Sequence, residues 1–364
     1  EKKSKGFTGE KHPEVYQKYK RSNPRKPGQL TDEQLAEINE NGYILVKDFF
    51  TPEEIQVAKD EVIRLLDELA KKLYKANKIT SLHEDKNFYD RLIAIEKEFP
   101  GANIILHKVG AFDEPFQKLA TNERLLNLLE DFLGPNITFN PVWNLRTKTP
   151  NNDATVVPWH QDAGYFSQES FTMLIMTAWI PLIHATFENG TMQMVKRAHK
   201  DALVGVHECC AGPTWYLMLD EKEIESRFNV SIEKDSEIID VPEGSFILFN
   251  QFTPHRSLPN TSNIVRWALD FRWHQTGKPS CLFGLKDGCE VRKEAEPDFK
   301  PPWDVFNAVD RNSAQIESSG FKNDEFNTTI MGPWMGQWTM VHSNRHTAAY
   351  IDDPSKWDSR TVHG

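Results

Sequence analysis

The sequence predicts an α+β chain in which helices come first and a β-sandwich or barrel of the jelly-roll kind follows. Helix start signals and leucines at helical spacing mark residues 31–134, and short β-like runs separated by turn clusters mark residues 136–275. The rest of the chain is polar and rich in tryptophan, without a regular pattern. We therefore expect a basic arm at 1–30, one large domain at 31–290 and a C-terminal extension or lid at 291–364.

Capping signals place the predicted helices. The segments "LTDEQL" and "FTPEEI" each match a capping box, with Thr31 and Thr51 as the N-cap residues. The helix after Thr51 carries leucines at helical spacing, so we expect it to bury one face. A third helix is predicted to begin at Thr121 and to end at Gly134.

The β-like runs follow one another closely. They are "ITFNPVW", "FTMLIMTAWIPL", "TMQMV", "SEIIDV", "SFILFN" and "IVRWALDFRW". In the last run apolar residues alternate with Arg266, Ala268, Asp270 and Arg272, so one face is apolar and the other carries two cations. Inside a small barrel, the charged face would point at an anionic ligand instead of at solvent.

Charge and composition exclude several partners. The formal net charge of -10 argues against nucleic acid, because a phosphate backbone would be repelled by the average surface. No run approaches the ~20 apolar residues of a membrane span. A small-molecule substrate is the expected partner, and the sequence does not indicate an oligomeric state.

The cysteines favour a reducing compartment. The adjacent pair Cys209 and Cys210, with Cys281 and Cys289, indicates neither a disulfide framework nor a zinc knuckle. We expect a cytoplasmic protein, with a peroxisomal location left open because a targeting segment could precede Glu1.

A candidate metal site is divided between two distant segments. In "VPWHQDAGYF", His160 and Asp162 are two residues apart, so on an extended chain both side chains point to one side. His255 in "FNQFTPHRSLPN" is the candidate third ligand. Two imidazoles and one carboxylate suit Fe(II) and leave three positions for a chelating co-substrate and O2. Arg266, assisted by Ser257, can bind a distal carboxylate, which is the pattern expected for 2-oxoglutarate.

The segments "PWHQDAGYF", "TAWIPLIHATFENGTMQMVKRAHK" and "HRSLPNTSNIVRWALDFR" together resemble the phytanoyl-CoA dioxygenase family of Fe(II)/2-oxoglutarate oxygenases. The resemblance covers roughly residues 31–273. It implies a double-stranded β-helix, which is a jelly-roll, cupin-like barrel with the N-terminal helices packed on it. It assigns the iron to His160, Asp162 and His255, and it assigns the distal carboxylate of 2-oxoglutarate to Arg266 and Ser257.

Further co-substrate residues follow from the same resemblance. Lys108, Asn144 and Trp179 fall where the family lines the co-substrate pocket, and Gln161 is the middle residue of the "HQD" motif. The sequence departs from the family pattern in "KRAHK" and in the loop "TPNNDATVV", both expected near the substrate entrance. The departures leave the identity of the substrate open, including whether it is a CoA thioester.

The resemblance implies hydroxylation of an unactivated C–H bond with release of succinate and CO2. Trp159, Tyr165 and Phe166 would hold the substrate and exclude water, or would pack in the core. Related halogenases lack the carboxylate at the position of Asp162, so hydroxylation, desaturation or rearrangement is favoured over halogenation.

Two other classes remain as alternatives. A zinc hydrolase or isomerase could use the same three ligands, but it would leave Arg266 without a role. A non-enzymatic ligand-binding jelly-roll protein would not need all four polar groups. The remaining histidines near strands lack a carboxylate at ligand spacing and are expected to be structural; they are His107, His184, His199, His207 and His274.

Overall fold

The computed structural model describes residues 9–352, with helices concentrated before residue 134 and again after residue 302. The helices are α1 (Asp32–Asn41), α2 (Pro52–Lys75), α3 (Arg91–Glu98), α4 (Ala102–His107), α5 (Glu114–Ala120), α6 (Glu123–Leu133), α7 (Glu221–Phe228), α8 (Ile232–Asp235), α9 (Trp303–Asn307), α10 (Arg311–Glu317) and α11 (Ala348–Asp352). None of the helices in the described part of the chain is long and apolar enough to cross a membrane.

The strands lie between these two helical regions, apart from the first and the last. They are β1 (Tyr43–Val46), β2 (Ile137–Phe139), β3 (Asn144–Lys148), β4 (Ile175–Pro181), β5 (Met192–Val195), β6 (Glu208–Cys209), β7 (Leu217–Met218), β8 (Ser236–Ile238), β9 (Phe246–Asn250), β10 (His255–Ser257), β11 (Arg266–Gln275), β12 (Cys289–Arg292) and β13 (Thr339–Met340). Antiparallel sheets together with helices confirm the α+β class.

The capping boxes of the first two long helices are confirmed. Thr31 Oγ1 accepts from the Gln34 N–H at 3.1 Å and the Gln34 side chain accepts from the Thr31 N–H at 2.9 Å, and Thr51 and Glu54 repeat the arrangement. These reciprocal bonds satisfy N–H groups that would otherwise be unpaired at the helix ends.

The third predicted helix begins one residue later than expected. Asn122 is the N-cap of α6, because its Oδ1 accepts from the Arg124 N–H at 3.0 Å. The Thr121 hydroxyl instead donates to the Gln117 carbonyl at 2.7 Å and belongs to the end of α5. The predicted end at Gly134 is correct, and this glycine has the positive φ of 77° that favours glycine.

Two antiparallel sheets frame the site. The larger has the order β1-β9-β4-β11-β2-β12, with β3 also paired to β11, and the smaller has the order β10-β5-β8. A third sheet, β13-β6-β7, contains a parallel pair between β13 and β6. Residues from the large and small sheets line a common cavity, which therefore lies between them.

Strand β11 separates the core from this cavity. Its apolar residues, among them Trp267 and Trp273, are fully buried in the main hydrophobic core with residues of the helices. On the other face, Arg266, Asp270 and Arg272 line the cavity and are also buried. The cations predicted for one face thus point inward.

The predicted basic arm is packed on the domain in its described part, residues 9–30. Tyr16 donates its hydroxyl to the His199 carbonyl at 2.7 Å, and Arg21 forms an ion pair with the buried Asp131 at 2.9 Å. The basic residues are held because the acidic residues of α6 lie beneath them. Residues 1–8 lie outside the described part.

The C-terminal extension adds to the sheet and then returns to the cavity. Strand β12 pairs with β2, and residues of α10 and of the 3-10 helix Pro333–Gln337 reach the cavity wall. Trp334 and Trp338 are buried, as the sequence indicated by its many tryptophans. Trp357 lies outside the described residues.

The cysteine pattern differs from the expectation in one place. Cys209 and Cys210 are joined by a disulfide, whereas the sequence analysis indicated none. Both residues are fully buried in a cluster of apolar side chains. Cys281 and Cys289 are free and buried.

Candidate metal and co-substrate site

The two candidate histidine ligands lie opposite each other on neighbouring backbone segments. His160 and His255 form an antiparallel bridge, with N–H to carbonyl distances of 3.0 and 2.9 Å in the two directions. Their ring centroids are 4.2 Å apart. The chain therefore brings two imidazoles together by ordinary strand pairing, although they are far apart in sequence.

Hydrogen bonds orient both rings. Nδ1 of His160 is 2.9 Å from the Pro158 carbonyl, and Nδ1 of His255 is 2.9 Å from the Thr253 carbonyl. Because a carbonyl only accepts, each Nδ1 carries the proton and each Nε2 keeps its lone pair. Burial lowers the pKa of His255 to about 3, so this imidazole is neutral and able to bind a metal.

Asp162 presents one oxygen to the histidines and the other to a cation. Its Oδ1 lies 3.5 Å from Nε2 of His160 and 3.7 Å from Nε2 of His255. Its Oδ2 accepts from Thr177 at 3.1 Å and from Arg272 at 2.9 Å. Burial alone would raise the pKa of Asp162, but the Arg272 guanidinium holds it well below its usual range.

The three side chains form a donor set that suits a metal ion. One ligand atom from each residue lies within 4.8 Å of the others, and all three residues are buried. Two neutral nitrogens and one carboxylate oxygen on one side of a cavity correspond to the facial arrangement used for Fe(II), with the remaining positions open to the cavity.

The guanidinium group of Arg266 is buried in the same cavity without a carboxylate partner. Its Nη2 donates to the Gly190 carbonyl at 3.1 Å, while Nε and Nη1 have no hydrogen-bond partner within the described residues. Burial and the nearby Arg146 lower the pKa of Arg266 to about 9. A buried cation with two unsatisfied donor atoms is expected at a binding site for a carboxylate, and the distal carboxylate of 2-oxoglutarate fits this site.

Lys148 completes this end of the cavity, and the sequence analysis missed it. The residue pairs with Arg266 across strands β3 and β11, and its ammonium donates to the Thr155 and Leu258 carbonyls and to Ser257 Oγ at 2.7 to 2.9 Å. Ser257 also accepts from the Val157 N–H at 3.1 Å, so its own hydroxyl hydrogen remains available for an acceptor in the cavity.

The cavity has two adjoining chambers, whose linings share His107, Arg146, Val157, His160, Trp215, Tyr216 and Arg272. One chamber contains Arg266 and has about 620 Å³ of space between protein atoms, part of it open to solvent. The other extends from Asp162 toward the C-terminal extension and has about 650 Å³, also partly open to solvent. The metal ligands lie at the junction. The site can therefore hold a co-substrate on one side and a substrate on the other.

The co-substrate residues suggested by the family resemblance divide into two groups. Trp179 lines the Arg266 chamber, and the guanidinium lies over its ring at 5.0 Å. Asn144 lines the other chamber, where it donates to Asp270 at 3.3 Å and accepts from Arg311 at 3.2 Å. Its side chain is thus committed to protein partners.

Gln161 and Lys108 are not brought to either chamber. The Gln161 amide binds the backbone of Leu203, Gly205 and Phe252 at 2.6 to 3.0 Å. Lys108 donates to Asn323 and to the Asn327 carbonyl at 2.8 Å in a separate surface cavity. On α4, His107 and Asn103 face the site instead, because Lys108 is turned about 100° from His107 around the helix.

Of the three aromatic residues beside the HxD pair, Tyr165 and Phe166 line the second chamber. Tyr165 lies edge-on to His160 with ring centroids 5.5 Å apart. Trp159 points away, donates its indole N–H to Glu221 at 3.0 Å and packs beneath Arg256.

Several cavity residues had no clear signal in the sequence. Arg272 had a partial one, because it shares a strand face with Arg266. Arg146 lies on β3, which was not predicted as a strand, and forms an ion pair with Asp270 at 2.8 Å. Arg311 lies in the extension, where the sequence has no regular pattern.

The structure has a cavity between antiparallel sheets, with a buried His-Asp-His set at one wall and an arginine with two unsatisfied nitrogens at another. This combination is typical of the Fe(II)/2-oxoglutarate-dependent oxygenases, and the chain is an enzyme of this class. A family model described as phytanoyl-CoA dioxygenase (PhyH) matches residues 38–268. The chain belongs to this family. Iron, 2-oxoglutarate and O2 are accordingly its cofactor and co-substrates.

Individual relatives are distant. The chain is 25% identical over 254 residues to human peroxisomal phytanoyl-CoA dioxygenase, covering 66% of this chain and 67% of that protein. It is 25% identical over 248 residues to a probable alpha-ketoglutarate-dependent hypophosphite dioxygenase from Stutzerimonas stutzeri, covering 65% and 76%. The solved structure of EctD from S. alaskensis with 2-oxoglutarate and 5-hydroxyectoine has a TM-score of 0.50 at 15% identity, covering 82% and 89%.

Proposed function

We propose that the protein is a dioxygenase that hydroxylates an unactivated C–H bond of a small organic substrate, with release of succinate and CO2. The main support for the proposal is the Arg266 guanidinium, which has two unsatisfied nitrogens. It lines the same cavity as the His160 and Asp162 pair and His255. We further infer that the two large sheets are the halves of a double-stranded β-helix of the jelly-roll, cupin-like type.

Each ligand has a defined role in this proposal. Nε2 of His160, Nε2 of His255 and Oδ1 of Asp162 hold Fe(II), and the hydrogen bonds on their remaining polar atoms keep them oriented. Bound iron with 2-oxoglutarate supplies the oxidising equivalents, because reduction of O2 is coupled to decarboxylation of the keto acid.

Arg266 and Ser257 hold the distal carboxylate of 2-oxoglutarate. The guanidinium offers Nε–H and Nη1–H, and Ser257 offers its hydroxyl hydrogen. Binding would remove the cost of a buried, unpaired cation, which makes the co-substrate favourable at this position.

The second chamber keeps the target carbon near the metal and excludes water. Tyr165 and Phe166 form one wall beside the HxD pair, and Trp334 from the C-terminal extension lies 6.1 Å from Tyr165 between ring centroids. Apolar walls on this side of the chamber would limit access of water to the bound substrate.

Desaturation or rearrangement at the same site is the second candidate, because the same iron chemistry serves all three outcomes. A zinc hydrolase is not favoured, since hydrolysis would give Arg266 nothing to bind. A non-enzymatic binding protein would have no need for the complete ligand set.

Anaerobic titration tests the proposal. Fe(II) with 2-oxoglutarate should produce a weak visible charge-transfer band in the wild type and none in His255→Ala. The matched control is His184→Ala, because His184 is exposed and its ring contacts Asp240 at 2.6 Å, away from both chambers. If the wild type gave no band, or if His255→Ala kept it, the assignment would be wrong.

A further inference from the structure

We propose that the substrate is a carboxylate with an apolar body and that Arg311 binds its carboxylate in the second chamber. This inference rests on the proposed function, and it adds the chemical class of the substrate. The evidence lies in the partners of Arg311, in the charge of the chamber walls and in an unpaired indole N–H group.

Arg311 resembles Arg266 in its lack of a carboxylate partner. It is buried, and its Nη1 donates to the Trp143 carbonyl at 2.6 Å and to the Pro141 carbonyl at 3.4 Å. Its Nη2 donates to Asn144 at 3.2 Å. All three acceptors are neutral, and Arg311 forms no ion pair with any described residue. Burial lowers the pKa of Arg311 to about 10.

Arginines outnumber carboxylates four to two in the walls of the two chambers. The arginines are Arg146, Arg266, Arg272 and Arg311, and the carboxylates are Asp162 and Asp270. Lys148 is left out of this count because burial lowers its pKa well below the ordinary value. The two carboxylates are already shared by Arg146 and Arg272.

Iron and 2-oxoglutarate do not remove this imbalance, because their charges of about +2 and −2 cancel. The positive excess that remains favours an anionic substrate over a neutral or cationic one.

Arg266 and Arg311 lie in different chambers. Arg266 lines only the co-substrate chamber, whereas Arg311 lines only the chamber next to Asp162. Each chamber is therefore lined by one arginine that has no ion-pair partner among the described residues. A planar guanidinium is well suited to hold a carboxylate in one orientation, which would fix the position of the target C–H bond.

Trp334 adds an unsatisfied donor to the residues that line this chamber. It lines the wall, it is buried, and its indole N–H has no hydrogen-bond partner within the described residues. Buried donors are rarely left without an acceptor, so this group points to an oxygen supplied by a ligand. The remaining lining is mixed: Phe166, Leu282 and Ile330 form an apolar part, which would contact the body of the substrate, and Asn312 and Gln315 are polar.

A free acid fits this chamber better than a thioester. Esterification to a thiol removes the negative charge that Arg311 would bind. Residues of the C-terminal extension, among them Arg311, Ile330 and Trp334, form part of the wall of this chamber. We therefore expect the acid itself, rather than its CoA conjugate, to occupy the site.

A matched panel tests this inference. Aliphatic and arylalkyl acids of six to twelve carbons are compared with their primary amides, their amines and their CoA thioesters. The readouts are succinate release and, separately, the anaerobic thermal shift of the protein with Fe(II) and 2-oxoglutarate. We expect at least one acid to exceed its own amide by about tenfold or more in both readouts.

The inference is overturned if no acid exceeds its amide, or if an amine or a thioester is preferred. The charge-transfer band distinguishes this failure from failure of the proposed function. With the band present and no acid preference, only the substrate class is wrong. With the band absent, the oxygenase site itself is wrong.

Variants locate the preference. In Arg311→Gln the ratio of acid to amide should fall to near one, Arg311→Lys should keep part of it, and Trp334→Phe should reduce it by a smaller factor. A purely structural role for Arg311 would lower the melting temperature and leave the ratio unchanged, which would also overturn the inference.

Discussion

The guanidinium group of Arg272 donates two hydrogen bonds to a single oxygen of Asp162, from Nε at 3.0 Å and from Nη2 at 2.9 Å. Both bonds go to Oδ2, so Oδ1 is left on the side of His160 and His255. The same guanidinium continues to Asp270 at 3.1 Å and to the Val142 carbonyl at 3.0 Å. Arg272 thus selects which oxygen of the carboxylate faces the metal position.

Loss of this orientation should weaken metal binding. We expect Arg272→Gln to raise the dissociation constant for Fe(II) or Mn(II) by about 10- to 100-fold, the range found for residues that orient metal ligands. Calorimetric titration with Mn(II) measures this directly. Arg256→Gln is the control, because Arg256 lies over Trp159 away from the cavity. Equal affinities in Arg272→Gln and the wild type would contradict the orienting role.

Replacement of Arg266 should weaken binding of 2-oxoglutarate without lowering the stability of the protein. In the protein without metal and 2-oxoglutarate, the buried guanidinium has two unsatisfied donors, so Arg266→Met should be at least as stable as the wild type. The variant should lose the stabilisation that 2-oxoglutarate gives the wild type, and its KM for 2-oxoglutarate should rise by about 10- to 100-fold. Thermal melts with and without 2-oxoglutarate decide the matter, and a persistent 2-oxoglutarate shift in the variant would refute the assignment.

Gln161 should act on stability more than on co-substrate binding. Its amide satisfies the Leu203 and Phe252 carbonyls and the Gly205 N–H. Gln161→Leu leaves these buried groups unpaired, and we expect a loss of about 3 kcal/mol in the free energy of unfolding. Urea unfolding measures the loss. A stability equal to the wild type, combined with a large rise in KM for 2-oxoglutarate, would show instead that the residue binds the co-substrate.

Acidification should destabilise the protein through buried histidines such as His274. Burial lowers the pKa of His274 to about 4, below the ordinary value of 6.5. Between these values the unfolded chain takes up a proton that the folded protein does not, so stability falls as the pH drops from 6.5 to 4. The contribution lost by pH 5 is about 2 kcal/mol.

The variant His274→Gln isolates this contribution. It cannot titrate, so its unfolding free energy should fall less steeply between pH 7 and pH 5 when both proteins are measured in urea without metal. Parallel curves for the two proteins would mean that His274 does not titrate as the burial argument requires.

The candidate metal ligands could be predicted from sequence because each stands in a recognisable local context, although their meeting depends on long-range pairing. His160 and Asp162 are two residues apart on an extended segment, and His255 follows a strand whose apolar run was evident. The two capping boxes, at Thr31 and Thr51, could also be predicted from local sequence, because a capping box is complete within four residues.

The rest of the site depends on contacts between distant segments. Lys148 reaches the cavity because β3 pairs with β11 in a register that sets it beside Arg266, and no local pattern specifies that register. Arg311 lies in the C-terminal extension, whose sequence has no regular pattern. Lys108 was the predicted cavity residue on α4, but His107 faces the cavity. Which of the two does so depends on the rotation of α4 about its axis, and this rotation is set by how the helix packs.

His160 and His255 are paired through their backbones, so a metal ion bound to both imidazoles would join two segments that are remote in sequence. An ion held by both imidazoles closes a loop of nearly a hundred residues, and loop closure of that length is a large entropic constraint on the denatured chain. Removal of the metal by a chelator should therefore increase the mobility of the whole loop. Protection of the loop's amide hydrogens from exchange should depend on iron even at residues distant from the ligands.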